Sequence, residues 1–247
     1  MNLVEIYPEL RSEFNSKVIL ASLLTQDIDS RISRFLESIV KSDWVAPLHT
    51  IIRELIQNSI KANLKRYIFE AENIDPTNRD QYKVGMNIFH TALGQFVKKG
   101  YSSIIEQQKL MYQVVLSTHS RVSLIHVANS GKLFKEEEAR IRHKFIRAIV
   151  SQGLYQFYLD DSDSVEGSGM GIALNEIILR QIGLKGRYFS VFSDVASDLT
   201  IARLIIPHHI DYKTPRQRFK EILDQEKINA SDLRNRLLSS PIRFIDI

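Results

Sequence analysis

Between Ile51 and Ala62 the chain reads Ile-Ile-Arg-Glu-Leu-Ile-Gln-Asn-Ser-Ile-Lys-Ala. At 100° per residue, Ile52, Leu55, Ile56 and Ile60 occupy much of a helical circumference, while Glu54, Asn58 and Lys61 fall within an arc of roughly 60°. A helix apolar over so much of its surface has to be covered by other elements, so the rest of the chain must build a core around it. The polar stripe then needs partners, because buried polar groups without them are costly. A carboxylate, an amide and an ammonium in one line suit a hard cation and a polyphosphate, since Mg²⁺ takes oxygen ligands and an asparagine oxygen is one of them. The stripe equally fits a helix whose polar edge faces water, with Glu54 and Lys61 as a charge pair at i, i+7. The segment alone leaves both readings open.

The central helix is predicted over 47 to about 72, ended by Asn73-Ile74-Asp75-Pro76-Thr77-Asn78, where proline and short polar side chains favour a turn. Residues 1–45 read as two or three short helices, with Leu20, Leu23 and Leu24 on one and Ile32, Phe35, Leu36 and Ile39 on the next. Helices are also predicted over 80–98 and 101–109. The hydrophobic period then drops from helical to two. Tyr112, Val114 and Leu116 alternate with other residues. After Thr118-His119-Ser120, Val122, Leu124 and His126 share one face and Ile125 and Val127 the other, which predicts a β-hairpin. Helical character returns over 133–158, an acidic loop runs from Asp160 to Ser164, and a helix follows from 167 to about 182. Strands are expected near 187–193 and 199–206. Two helices close the chain, the first with Thr214 as N-cap and Pro215 at its first position.

Of the 247 residues 44% are hydrophobic and 25% charged, and there is no cysteine, which excludes disulfides and thiolate metal sites. The net charge of +4 is spread along the chain without a basic block, which argues against a nucleic-acid partner. The longest apolar runs, Val18 to Leu24 and Ile201 to Ile206, fall far short of the roughly 18 residues of a membrane span. The first residues lack the features of a signal peptide. A cytoplasmic protein that does not enter membranes is expected.

A second motif is Glu166-Gly167-Ser168-Gly169-Met170-Gly171-Ile172-Ala173-Leu174, three alternating glycines ahead of a helix. Glycine lets main-chain N–H groups approach a ligand, and the helix N-terminus behind them favours phosphate. The preceding acidic loop is not the buried strand that a dinucleotide-binding turn requires, and no Gly-Lys-Ser/Thr follows, as a P-loop would need. A hinge with a helix cap fits the same residues. A third segment, Val127-Ala128-Asn129-Ser130-Gly131, is by itself only a strand end and a turn.

In this order the three segments resemble the GHKL ATPase superfamily, and the histidine-kinase ATP-binding domain in particular. The stretch from Arg53 to Ala62 is similar to the N-box, Val127 to Gly131 to the G1 box, and Glu166 to Leu174 to the G2 box. Phe145 and the segment to Phe157 lie where the family has its lid, and Thr200 to Pro207 resembles its closing strand. The resemblance covers roughly 47–207. It implies an ATP site with Mg²⁺ held by Asn58, Glu54 as a base for water or a hydroxyl, and Lys61 near the phosphates. It also implies that Asn129 and Gly131 belong to the nucleotide pocket and that Gly167, Ser168, Gly169, Met170 and Gly171 line the triphosphate. The chain departs from the pattern at Asn129, where most members carry Asp; its oxygen can accept the adenine amino group, or its amide can point the other way. Leu133 replaces a second glycine. None of the seven histidines is followed by the acidic residue and proline of a phosphoacceptor box.

The expected fold is α+β, a two-layer α/β sandwich of the Bergerat type. Its mixed, mostly antiparallel sheet would be covered by helices on one face, with extra helices at both ends. The expected organisation is an N-terminal helical segment (1–45), an ATP-binding domain (46–208) with a helical insertion at about 64–110 and a lid at about 132–166, and a helical tail (209–247). The resemblance implies a histidine-kinase-like protein that binds ATP and Mg²⁺ and transfers phosphate to a partner protein. The alternatives are an ATP-hydrolysing conformational switch and a degenerate nucleotide-sensing or protein-binding module. The terminal helices are the expected place for a homodimer or a docked partner.

Overall fold

The computed structural model describes residues 28–99, 112–151, 170–184, 188–194 and 198–238. Ile32, Phe35 and Leu36 form the buried side of α1 (Ile28–Ile39). The apolar segment lies within α2 (Ser42–Ala71), 30 residues long. The helix begins upstream of position 47, a proline of the kind favoured in a first turn, because Trp44 and Val45 pack on the core and carry it back. Leu48, Ile51 and Ile52 are fully buried, each worth about 1.5–3 kcal/mol relative to exposure.

The predicted break at 73–78 is a turn in which Asn78 Oδ1 accepts from the N–H groups of Asp80 and Gln81 at 3.0 and 3.2 Å, capping α3 (Arg79–Lys99). The two helices form an antiparallel hairpin. Phe69 of α2 lies so close to Gly85 of α3 that a Cβ there would sit 2.6 Å from its ring. Phe69, Tyr82 and Phe134 form an aromatic cluster beside this contact, with centroids 5.4–6.5 Å apart.

The period-two segments are β1 (Tyr112–Thr118) and β2 (Val122–Ser130), followed by α4 (Lys135–Val150), α5 (Met170–Gln181), β3 (Phe189–Asp194) and β4 (Leu199–Pro207). The sheet order is β1-β2-β4-β3. A mixed, mostly antiparallel sheet is expected, and every described pairing is antiparallel. Two hairpins account for this: β1–β2 and β3–β4 each reverse the chain locally, and their second strands meet side by side.

Register places Val114 opposite Val127 and Leu116 opposite Ile125. With Ala202, Leu204 and Ile206 of β4 they form the face that packs against α1, α2 and Leu179 of α5. The reverse face carries smaller apolar clusters, Val115 with Ala128 and Ile201, and Val122 with Leu124 and Ile205, and these are buried too. His126 lies among them; burial and the neighbouring Arg203 push its imidazole down to about 3, and Arg203 Nε donates to its Nε2 at 3.0 Å.

After β4, Thr214 caps α6 (Pro215–Glu226) as predicted, accepting from the Gln217 N–H, and α7 (Ala230–Leu238) follows. The helix expected at 101–109, the leucines at 20–24 and the acidic run 160–164 lie outside the described residues. Among the described residues no helix is long and apolar enough to cross a membrane.

Candidate functional site

One wall of a cavity of about 390 Å³ is the polar stripe of α2, where Glu54, Asn58 and Lys61 all line the space. They are half-buried there because the apolar residues on either side of the stripe are committed to the core. The stripe runs one turn further than the sequence motif, to Lys65. Asn58 Nδ2 donates to Glu54 Oε1 at 3.2 Å. That commits the amide nitrogen and leaves Oδ1 as the atom for an incoming donor or cation.

The glycine motif meets this wall through Gly171, in the first turn of α5. A Cβ built on Gly171 would lie 2.2 Å from Glu54 Oε1 and 3.1 Å from Asn58 Nδ2. Position 171 therefore admits no side chain while Glu54 keeps its place. Met170 begins the helix, and Gly167, Ser168 and Gly169 lie outside the described residues.

The sheet forms the floor. Asn129 and Thr200, register partners at the ends of β2 and β4, line the cavity beside Ala202, Val191 and Phe189. Asn129 Nδ2 donates to the Ser130 carbonyl at 3.1 Å. A carbonyl can only accept, so the amide is oriented, and Oδ1 is the atom left to accept a hydrogen bond. Gly131 stands just outside the cavity. It takes a left-handed φ of +79°, and a Cβ on it would lie 2.5 Å from Arg66 Nε. Its N–H donates to the Asp198 carbonyl and its carbonyl accepts from Thr200 Oγ1, each at 2.7 Å, so it shapes the turn beneath Asn129.

The remaining walls come from residues that sequence reasoning did not single out. From α3 come Met86, Phe89, His90 and Leu93, and from α4 Glu137, Arg140, Ile141 and Lys144, each set spaced i, i+3, i+4, i+7 along one helical face. Glu137 forms a buried ion pair with Lys65 and lies 3.6 Å from Arg66. Burial pushes its carboxyl up, but Lys65 and Arg66 outweigh this and hold it below its ordinary value. Arg140 bonds the Tyr82 hydroxyl, fastening α4 to α3. Among the described residues of the lining, Lys61, Lys65, Arg140 and Lys144 stand beside two carboxylates, Glu54 and Glu137, a surplus of positive charge. Of these, Lys65 was legible: eleven residues past Glu54 it stands at 20°, inside the arc of the stripe.

The two glycine segments touch α2 at separate points, Gly171 at Glu54 in the cavity and Gly131 at Arg66 beside it. Twelve residues of helix separate those points, ~18 Å at 1.5 Å per residue.

The donor set can be tested against Mg²⁺. Among the described residues no group of three or more His, Asp or Glu could cage a metal ion. Mg²⁺ in nucleotide sites commonly takes one or two protein oxygens and fills its octahedron with phosphates and water, and Asn58 Oδ1 beside Glu54 fits that lesser demand.

No family model matches the chain, and no solved structure matches it. It is similar to a protein of Treponema pallidum (strain Nichols) bearing the name "Uncharacterized protein", 28% identical over 197 residues, 77% of this chain. The chain spans 37% of the length of that relative.

Proposed function

We propose that this cavity binds Mg-ATP in the manner of the GHKL ATPases, with a Bergerat-type fold, and that the bound nucleotide phosphorylates a partner protein. One observation carries the reading: Gly171, in the first turn of α5, packs directly against Glu54 and Asn58, inside a cavity whose described lining has more cations than carboxylates. Asn58 and Gly171, 113 residues apart in the chain, are neighbours in the fold, and that contact supports the reading.

In this reading the triphosphate lies at the Glu54 end and the base at the Asn129 end. Mg²⁺, when bound, would neutralise phosphate charge. Asn58 Oδ1 would hold it. Lys61, with Arg140 and Lys144 from α4, would balance the remaining charge of the polyphosphate. Glu54, at the stripe's outer end, would accept the proton of an attacking hydroxyl. Most of the catalysis would come from positioning and electrostatics.

Calorimetry with ATP and Mg²⁺ tests the reading. The wild type should bind, and Asn58→Ala should bind at least about tenfold more weakly, the loss of roughly 1.4 kcal/mol. Binding that is equal in the two, or equal with and without Mg²⁺, counts against it. Incubation with γ-labelled ATP and a cell extract then tests transfer; phosphate released without label on any protein would point to hydrolysis instead.

A further inference from the structure

Three large apolar side chains stand exposed together on the last turns of α4, Ile146 and Ile149 at 61% and Val150 at 78%. A single exposed isoleucine needs no explanation. Three at i, i+3 and i+4 share one face, and an exposed apolar face marks a place where another molecule binds. The turn that carries them is not frayed. Ala148 is fully buried against Ala173 of α5. Arg180 of α5 donates to the Ala148 and Ile149 carbonyls at 3.1 and 3.4 Å, and Ser151 Oγ donates to the Arg147 carbonyl at 2.9 Å. The helix end is held from behind while its apolar face stays outward.

The contact with α5 also fixes where the patch lies. Ala173 is two residues past Gly171, which packs on Glu54. The cavity side of α4 carries Arg140, Ile141 and Lys144. The exposed patch therefore borders the Glu54 end of the cavity, where the triphosphate lies in the ATP reading.

Charge indicates what kind of surface fits. From Ala139 to Ser151 the chain has Arg140, Arg142, His143, Lys144 and Arg147 and no acidic residue. Arg142 and His143 are exposed, and with Ile149 and Val150 they lie within about 60° of Ile146 around the helix. Arg142 pairs with Glu138 one turn upstream. Arg180, at the rim, is exposed, and the one carboxylate of α5, Glu176, is buried. A second copy of this chain on the same face would set these cations against one another. An acidic surface with an apolar centre complements them.

We propose that this face of α4 docks the protein that receives the phosphate, through an acidic surface with an apolar centre. The inference rests on the kinase reading and adds to it the chemistry of the partner. Docking beside the phosphate end of the cavity holds the acceptor close to the group it receives.

The wild type, Ile146→Glu, Ile146→Lys, Val150→Glu and a control, Val84→Glu on α3, are each incubated with γ-labelled ATP and a cell extract. Val84 is also exposed, at 55%, but lies on another helix. Protein labelling that depends on the added chain is followed. ATP affinity is measured by calorimetry, melting temperature without ligand, oligomeric state by size exclusion, and membrane binding by flotation with phosphatidylcholine–phosphatidylserine vesicles. Ile146→Glu and Val150→Glu should slow labelling about tenfold or more, the scale of an interface hot spot, with ATP affinity and melting temperature unchanged. Ile146→Lys should slow it less, since it removes the apolar contact but keeps the favourable sign. Val84→Glu should label as the wild type does. The proposal is overturned if labelling is equal in the wild type and the Glu variants of α4, if Val84→Glu slows it as much, or if ATP affinity falls in step with labelling. A wild-type dimer that the α4 variants split would assign the face to a second copy, and vesicle binding lost in those variants would assign it to a membrane; either overturns it. ATP binding by the wild type with no protein labelled would remove the kinase reading itself, and the docked acceptor with it.

Discussion

Glu54 and Lys65 stand eleven residues apart on one face of α2, both lining the same cavity, yet their surroundings differ. Lys65 is buried and paired with Glu137, which Arg66 and the Phe134 N–H also approach. Among the described residues Glu54 has one hydrogen bond, from Asn58 at 3.2 Å, with the close approach of Gly171 beside it. At the first end the charges are satisfied by the protein itself, and removing one leaves the other stranded. At the second end, among the described residues, Glu54 and Asn58 are joined by one hydrogen bond and no ion pair. Charged residues in a cavity wall are therefore poor evidence of function until their partners are counted.

The largest effect on stability should come from the satisfied end. Glu137→Gln leaves Lys65 buried without its counter-charge, and breaking a buried pair in this way costs about 3–5 kcal/mol, which urea unfolding would measure. The pH dependence gives a second handle. The Glu137 carboxyl sits below its ordinary value in the folded protein, so its contribution is complete above the pKa of the unfolded chain and is lost as pH falls through the lower folded value. The wild type should lose stability over that acid window, and the Gln variant should lack this component. A variant as stable as wild type at pH 7 would erase the distinction between the two ends.

Gly171→Ala should separate them in the other direction. The added Cβ meets the tip of a flexible carboxylate, not backbone, so Glu54 can swing aside at little cost to the fold. Its alignment with Asn58 is then lost. ATP turnover should fall on the order of 100-fold, roughly 2.7 kcal/mol of transition-state stabilisation, while the melting temperature stays close to that of the wild type. Unchanged turnover would show that the close packing of Gly171 on Glu54 has no catalytic consequence.

How much of this was legible follows from where each partner sits in the chain. The stripe on α2, the hairpin and the Thr214 cap are local patterns, and local patterns survive in a linear sequence. Lys65 was within reach as well, being inside the angular arc that already held Glu54, Asn58 and Lys61. Glu137, Arg140 and Lys144 were not. Charges at i, i+3 and i+7 on a helix ordinarily face water, and only the packing of α4 over the cavity turns that side inward. His90 was hidden for the same reason: nothing in its neighbours along the chain tells which side of α3 meets the hairpin partner. A mostly antiparallel sheet was legible, but the meeting of β2 with β4 was not, since it brings together two hairpins far apart in the chain.

The smallest effect tests the other glycine, where the physical demand is conformational. Gly131 takes φ +79°, a region that disfavours side chains whatever the free space. Gly131→Ala has to strain the turn and also displace Arg66, whose Nε would lie 2.5 Å from the new Cβ. The strain alone costs roughly 1–2 kcal/mol, to be read as a lowered urea midpoint. Arg66 is itself one of the cations near Glu137, so part of the loss should be shared with the ion pair, and combining Gly131→Ala with Glu137→Gln should destabilise less than the sum of the two. ATP affinity should change by less than tenfold, because the Asn129 amide is set by β2 and not by the turn alone. If Gly131→Ala instead abolished binding while leaving stability untouched, the two glycines would be doing the same job, and Gly131 would have to be counted as part of the nucleotide pocket.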